Sequence, residues 1–327
     1  MSDALSRIGI VGAGAWGTAL AALAAEKGPA LLWARDAALA DRINATQQNE
    51  AYLPGISLPP ALRATGDLAG LLDCDALLLA MPAQHARHFA AVLGGAKPLV
   101  LTCKGIEIET GKLLAEAVAE AAPGARLAVL TGPTFAAEVA RGLPTAATLA
   151  STDAALAQAL AERLGRPTFR LYTSDDMAGS QIGGAVKNVL AIACGIVIGR
   201  RLGDNARAAL ITRGLAEMAR LGQRLGARPE TLMGLSGLGD LVLTCSGPQS
   251  RNLSLGIALG EGQELADYLA GRRSVAEGMY TAEALHRLCA RLGLEMPIAA
   301  AVYAILHDKA EIDATIAGLL ARPLKME

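Results

Sequence analysis

The chain has 327 residues, with 30 lysine and arginine residues against 31 aspartate and glutamate residues and a formal net charge of −1. Apolar residues make up 52% of the sequence, which excludes a disordered chain, since disorder needs low hydrophobicity and high net charge. The near-zero charge argues against a nucleic-acid-binding protein. Five scattered cysteines, none in a CxxC pair, argue against a disulfide framework or a zinc site. A chain of this length is expected to form about two domains.

The first part of the chain, up to residue 175, alternates short apolar runs with helical stretches. The predicted strands are 7–11, 30–33, 76–80, 99–102, 127–130 and 146–150. The predicted helices between them include 16–26, 111–121 and 153–164. Continuously apolar strands that alternate with helices indicate a parallel sheet covered on both faces.

The second part of the chain, residues 176–327, lacks strand-like runs and is predicted to be all helical. Its Ala- and Leu-rich stretches predict helices over 180–199, 205–225, 252–261, 281–292 and 297–307. The most apolar stretch carries Lys187 near its middle, which would cost about 2.5–3.5 kcal/mol in a bilayer. We therefore expect a buried helix and no membrane span there. Because the N-terminus lacks a basic, apolar leader, a cytoplasmic location is expected.

A glycine-rich motif follows the first predicted strand. Gly12, Gly14 and Gly17 form G-x-G-x-x-G at the start of a predicted helix, the context of a Rossmann dinucleotide site. The first glycine permits a tight turn, the second lets a pyrophosphate approach the backbone, and the third lets the helix pack on the strand. Arg35, after the second strand, favours the 2′-phosphate of NADP, whereas Asp36 keeps NAD open or caps the next helix. NADPH and NADH both remain candidates.

Carbonyl reduction by such a cofactor needs a proton donor, and any anionic substrate group needs cations. Lys187 lies in an apolar helix, where burial would lower its pKa towards a range useful for acid–base work. The alternative is a lysine whose ammonium group reaches solvent. Asp240, in a glycine-rich turn, either pairs with a buried lysine or caps a helix. Arg251, at a predicted helix start, either binds a phosphate or is a surface residue.

Two loops of the first part also carry candidates. Lys104 lies just past the carboxyl end of a predicted strand, and the segment 132–136 follows the next strand and opens a helix, with Pro133 suited to its first turn. Ligands of open α/β sheets bind at that edge. His85 and His88 lack a nearby cysteine or carboxylate, so both are interpreted as surface residues and no metal is expected.

Taken in order, these segments closely resemble the bacterial NAD(P)-dependent glycerol-3-phosphate dehydrogenase family over nearly the whole chain. The matching segments are the glycine-rich turn with Trp16, the end of the second strand at 33–36, and 49–54, 103–107, 132–136, 187–188, 237–240 and 250–252. One departure is Arg200-Arg201, where the family suggests small or apolar residues. It touches no motif and affects only the expected end of a helix.

The resemblance implies an activity and a set of site residues. The family interconverts dihydroxyacetone phosphate and sn-glycerol 3-phosphate, the backbone precursor of membrane phospholipids, in the cytoplasm. The resemblance implies that Lys187 is the catalytic proton donor and acceptor and that Asp240 orients the ammonium group of this lysine. The implied substrate contacts are Lys104, Gly132, Thr134, Lys187, Asp240, Ser250, Arg251 and Asn252. The implied dinucleotide contacts are Gly12, Gly14, Ala15, Trp16, Gly17, Arg35, Tyr52, Lys104, Ala136, Arg251, Val275 and Glu277.

Two other functions remain open at this point. The first is a different two-domain dehydrogenase with a catalytic lysine, of the 3-hydroxyacid or 6-phosphogluconate type. Such an enzyme would act on a substrate that carries a carboxylate, and it would lack the Ser250-Arg251-Asn252 element. A dinucleotide sensor without catalysis is disfavoured because Lys187, Asp240 and Arg251 occur together. The apolar C-terminal helices are compatible with a homodimer interface, although core packing explains them equally well.

Overall fold

The computed structural model describes residues 5–270 and 276–323, which form two compact units. Among the described residues, the first unit comprises the chain up to Lys104 together with Leu113–Gln181. The second comprises Gly105–Lys112 and the chain from Ile182 onward. The short segment Gly105–Lys112 thus belongs to the second unit, although it lies within the first part of the sequence.

The first unit is built on one large sheet. Its strands and those of a small two-stranded sheet are β1 (Ile8–Val11), β2 (Ala30–Trp33), β3 (Gln48–Asn49), β4 (Leu53–Ser57), β5 (Leu62–Thr65), β6 (Ala76–Leu79), β7 (Leu99–Leu101), β8 (Leu127–Thr131), β9 (Thr145–Ala150) and β10 (Phe169–Ser174). The large sheet has the order β10-β9-β8-β7-β6-β1-β2-β5, and β3 pairs with β4. The strands from β5 to β8 in that order are parallel, as predicted. The pairing of β8 with β9 is antiparallel, so the sheet is mostly rather than wholly parallel.

Helices cover both faces of this sheet. They are α1 (Ala15–Ala25), α2 (Ala37–Thr46), α3 (Ala86–Leu93), α4 (Leu114–Ala121), α5 (Ala136–Ala140) and α6 (Ala154–Leu164), with short 3-10 turns at Ala69–Asp73 and Ala83–His85. Alternate strand residues enter opposite cores: Ile10 packs with residues of α1 and α6, whereas Val11 packs with residues of α3 and α4. This two-sided burial is why the central strands are apolar at every position. The doubly wound Rossmann-type architecture is confirmed.

Apart from the non-helical segment Gly105–Lys112, the regular secondary structure of the second unit is helical in its described residues. Its helices are α7 (Met177–Gly199), α8 (Asp204–Arg224), α9 (Pro229–Met233), α10 (Asp240–Ser246), α11 (Arg251–Gly260), α12 (Leu265–Leu269), α13 (Glu277–Leu292), α14 (Pro297–His307) and α15 (Ile312–Leu320). The first residues of α7, up to Gln181, belong to the first unit. Long, strongly apolar helices were predicted to within a few residues, and α14 has the predicted bounds. Among the described residues, α7 is the one helix long and apolar enough to cross a membrane, and 89% of its most apolar window is buried inside the protein.

Two local expectations need correction or refinement. Helix α5 begins at Ala136, so Pro133 lies in the preceding bend rather than in the first helical turn. Helix α7 ends at Gly199, where Arg200 donates to Gly260 O at 2.9 Å and pairs with Asp313 at 2.9 Å. The unexpected basic residue therefore anchors the end of α7 to α11 and α15.

Candidate active site

The glycine-rich turn has the backbone that its sequence predicts. Gly12 adopts φ +111°, a conformation that favours glycine, and a Cβ there would lie 3.1 Å from the Ala80 backbone. A Cβ on Gly17 would lie 1.9 Å from Gly12 O, so only glycine lets α1 approach the turn this closely. These two glycines therefore fix the path of the chain from β1 into α1.

The start of α1 is suited to a dinucleotide pyrophosphate. The first N–H groups of any helix lack intrahelical acceptors and carry partial positive charge. Here the N-cap residue Gly14 offers no side-chain acceptor, and the first turn, which includes Ala15 and Trp16, carries no acidic residue. A Cβ on Gly14 would meet nothing within 4 Å, so the backbone at this residue faces open space. The residues present fit an anionic phosphate group.

The residues after β2 carry the question of cofactor preference. Asp36 is the N-cap of α2: its Oδ1 accepts from Ala38 N at 3.0 Å, and its other oxygen lies 3.7 Å from Arg42. Arg35 is exposed beside it. The capping interpretation of Asp36 is thus observed. Tyr52, the weaker dinucleotide candidate, lies between β3 and β4 and is 38% exposed.

A second cluster of the first unit gathers around one carbonyl group. Gly132 O accepts hydrogen bonds from Lys104 Nζ at 3.1 Å and from Thr134 Oγ1 at 3.2 Å. Gly132 adopts φ +142°, and a Cβ there would lie 2.9 Å from Ala147 Cα. Ala136, also of this loop, begins α5. The structure therefore brings together three residues that the sequence placed after two separate strands.

The second unit contains a buried lysine bound to a carboxylate. Lys187, on α7, donates hydrogen bonds to Asp240 Oδ1 and, at 2.8 Å, to Thr244 Oγ1. The side chains of Lys187 and Asp240 are only 8% and 1% exposed. The alternative of a lysine that reaches solvent is therefore wrong, and Asp240 pairs with the lysine rather than only starting α10. The carboxylate lies where it can compensate the charge of a buried ammonium group.

The carboxylate is brought to the lysine by a glycine-rich turn. Residues Leu235–Gly239 form one wide π-helical turn directly before α10. A Cβ on Gly183 would lie 2.2 Å from Ser236 O, so the turn packs backbone to backbone against α7. Because residues four apart share a face of a helix, Gly183 and Lys187 face the same neighbour. Both ends of the ion pair are therefore set by rigid backbone.

A chain of buried amides starts at Asn188, the residue that follows Lys187 on α7. Asn188 Oδ1 accepts from Asn252 Nδ2 at 2.9 Å, and Asn252 Oδ1 accepts from Gly278 N at 2.9 Å. Ser250 caps α11 by accepting from Leu253 N at 3.2 Å, and Arg251 is exposed as the first residue of that helix. Glu277 begins α13, whereas Val275 lies outside the described residues.

The neighbouring cysteine is not a nucleophile. A hydrogen bond with the Cys194 thiol, reinforced by burial, raises the pKa of Cys245 well above its ordinary value. Both thiols are fully buried. A protonated thiol is a weak nucleophile, so nothing here favours a nucleophilic role for Cys245.

Two participants were missed as site residues at the sequence level. Thr244 contacts the lysine because it lies four residues after Asp240 on the same face of α10, a spacing that could have found it. Asn188 was only part of a motif, and its bond to Asn252 joins residues 64 positions apart. Among the described residues, no group of three or more potential ligands is arranged for a metal ion.

Comparisons with known proteins match both parts of the chain to one family. Residues 7–157 match the family described as NAD-dependent glycerol-3-phosphate dehydrogenase N-terminus, and residues 176–317 match the corresponding C-terminus. A glycerol-3-phosphate dehydrogenase (NAD(P)+) of Parvibaculum lavamentivorans is 55% identical over 332 residues, covering 100% of both chains. Its counterpart from Caulobacter vibrioides is 56% identical over 98% of both chains. The crystal structure of glycerol-3-phosphate dehydrogenase from Coxiella burnetii superimposes with a TM-score of 0.93 at 40% identity, covering 97% of this chain and 99% of that chain.

Proposed function

We propose that Lys187 supplies and removes the proton in the reaction of this chain, which belongs to the NAD(P)-dependent glycerol-3-phosphate dehydrogenase family. The chain is accordingly an oxidoreductase that interconverts dihydroxyacetone phosphate and sn-glycerol 3-phosphate with NAD(P). The observation that carries the role of the lysine is its burial together with its bonds to Asp240 and Thr244.

The first unit is proposed to hold the dinucleotide, with the pyrophosphate at the glycine-rich turn and the N-terminus of α1. When bound, the dinucleotide supplies the hydride that reduces C2 of the substrate. Gly12, Gly14 and Gly17 shape the turn, and Arg35 is proposed to meet the 2′ position. The remaining proposed contacts are Ala15, Trp16, Tyr52, Lys104, Ala136, Arg251, Val275 and Glu277.

Lys187 is proposed to move the proton. As C2 is reduced, the ammonium group donates a proton to the carbonyl oxygen, which becomes the C2 hydroxyl group. In the reverse direction the neutral amine accepts that proton. Asp240 and Thr244 hold the ammonium group in place, so no rearrangement is needed at the moment of transfer. The low exposure of the pair keeps competing water away.

The substrate phosphate is proposed to bind Arg251 and the start of α11. A guanidinium fork can hold two phosphate oxygens, and the helix N-terminus adds N–H groups and partial positive charge. Ser250 and Asn252 flank it on the same turn. Lys104, Gly132 and Thr134 are the proposed substrate contacts from the first unit.

The function is tested by steady-state oxidation of NADPH that depends on dihydroxyacetone phosphate. Lys187→Ala should lower turnover at least about 10²-fold, the lower end for loss of a general acid, while NADPH still binds. Arg251→Lys keeps the charge but loses the fork, so kcat/KM for dihydroxyacetone phosphate should fall more than that for unphosphorylated dihydroxyacetone. Arg287→Lys, on the exposed surface of α13, is the matched control. Equal losses for both substrates would remove Arg251 from phosphate binding.

We further propose that the enzyme works in the cytoplasm, supplies the glycerophospholipid backbone, and forms a homodimer. The support for a dimer is that α15 buries none of its residues and that Leu320 is 82% exposed. Leu320→Glu should then shift the mass measured by light scattering from dimer to monomer. A wild-type mass of one chain would contradict the dimer.

A further inference from the structure

Asn49 connects the small two-stranded sheet of the first unit to the glycine-rich turn. It ends β3 and is 1% exposed. Its Nδ2 donates to Ala13 O at 3.0 Å and to Thr18 Oγ1 at 2.7 Å. Ala13 lies between two glycines of the turn, and Thr18 lies in the first part of α1. One side-chain amide thus ties together the two parts of the chain that would surround a pyrophosphate.

The chemistry of the contact requires the NH₂ group of the amide. A carbonyl oxygen can only accept, so the atom that faces Ala13 O has to be a donor. Among the described residues, the other amide atom, Asn49 Oδ1, has no hydrogen-bond partner although it is buried. A buried acceptor without a partner carries a stability cost. The two hydrogen bonds that Nδ2 donates therefore hold the Asn49 side chain in this position.

Fixing the Ala13 carbonyl also fixes the next N–H group. The peptide unit between Ala13 and Gly14 is planar and trans, so its C=O and its N–H point in opposite directions. With the oxygen held by Asn49, the Gly14 N–H points away from Asn49. A Cβ on Gly14 would meet no atom within 4 Å, so the backbone there is open to a ligand.

We infer that Asn49 is a positioning residue for the dinucleotide, one that aims the Gly14 N–H group at the pyrophosphate by holding the Ala13 carbonyl. This role rests on the proposed function, in which the pyrophosphate binds the glycine-rich turn. Asn49 itself needs no contact with the ligand. A preset N–H group spares the ligand the cost of ordering the turn on binding.

The test is NADPH binding to Asn49→Leu, a neutral substitution of similar shape. Both tryptophans, Trp16 and Trp33, lie in the first unit, so quenching of their fluorescence reports binding without turnover. The Kd for NADPH should rise about three- to tenfold, the effect of one lost hydrogen bond. The Kd for adenosine 2′-monophosphate, which lacks the pyrophosphate, should stay unchanged in a competition titration. Asn49→Ala, which also loses the NH₂ group and adds no charge, serves if Asn49→Leu fails to fold.

Asn44→Leu is the matched control. Asn44 joins α2 to β5 through two hydrogen bonds of its side-chain amide. Its Nδ2 donates to Ala64 O, and its Oδ1 accepts from Ala64 N, both at 2.8 Å. The Asn44→Leu substitution should lower the melting temperature of the apoprotein and leave the Kd for NADPH unchanged. An unchanged Kd in Asn49→Leu, or equal losses for NADPH and adenosine 2′-monophosphate, would overturn the role of Asn49. A wild-type protein that binds no NADPH would instead overturn the proposed dinucleotide site.

Discussion

The buried ion pair between Lys187 and Asp240 allows stability and catalysis to be separated in one double-mutant cycle. The two side chains are 8% and 1% exposed, and each lies where it can compensate the charge of the other. Removing one partner of a buried pair costs about 3–5 kcal/mol, whereas replacing both by neutral groups is often close to neutral. Lys187→Met and Asp240→Asn should therefore each lower the free energy of unfolding by about that amount. The combined variant should be more stable than either single variant.

Activity should follow a different order. Lys187→Met, alone or combined with Asp240→Asn, should lose at least about 10²-fold in kcat. Asp240→Asn alone retains the lysine and should retain more activity than the combined variant, although it is the less stable of the two. If the combined variant regains stability but not activity, the loss of activity comes from the missing lysine and not from a damaged fold.

The assay has to follow the second unit. Both tryptophans lie in the first unit, so urea unfolding is better monitored by far-ultraviolet circular dichroism, which reports the helices. The exposed pair of Arg287 and Glu283 is the control, because loss of such a pair costs less than about 1 kcal/mol. If Lys187→Met costs no more than Arg287→Met, or if the combined variant is the least stable, the charges do not compensate each other.

Three further outcomes are expected. Gly256→Ala would place a Cβ 2.0 Å from Ile192 O and should cost about 1–3 kcal/mol and lower kcat/KM, whereas Gly318→Ala, in open space, should do neither. Burial raises the pKa of the Glu217 carboxyl above 4.5, so its contribution to stability is present below that pH and is lost as pH rises through the folded value. Against Glu217→Gln, the wild-type advantage in unfolding free energy should therefore shrink between acidic and neutral pH, and a constant difference would contradict this. Arg35→Ala should weaken NADPH binding more than NADH binding, measured by fluorescence titration, and equal losses would exclude Arg35 from the 2′ position.

The central sheet was predictable because its strands are buried on both faces and are apolar at every position. Edge strands were not: β5 and β10 place residues such as Arg63 and Tyr172 in solvent, so no apolar run marks them. The reversed direction of β9 was also beyond the sequence. The last four residues of Thr145–Ala150 are buried like the central parallel strands, and direction is decided by how the chain returns to the sheet rather than by composition.

The site shows the same division between local and tertiary signals. The glycine-rich turn is a local motif, so its conformation followed from the positions of Gly12 and Gly17. The pairing of Lys187 with Asp240 spans 53 residues, and residue type alone left two interpretations for each. Asn49 was only the first residue of the matching segment 49–54, and its role was not predictable because it depends on a carbonyl 36 positions earlier in the chain.

Helix α7 sets the geometry of the second unit through two consecutive residues. Successive residues of an α-helix point roughly 100° apart, so Lys187 and Asn188 face different neighbours. Lys187 meets the carboxylate at the start of α10, and Asn188 meets Asn252 at the start of α11. Further along, α11 packs on α7 so closely that a Cβ on Gly195 would lie 2.2 Å from Leu253 O, which leaves no freedom for α11 to slide. Lys187 and the proposed phosphate-binding start of α11 are thus both positioned by the same helix, α7, as a preorganised site requires.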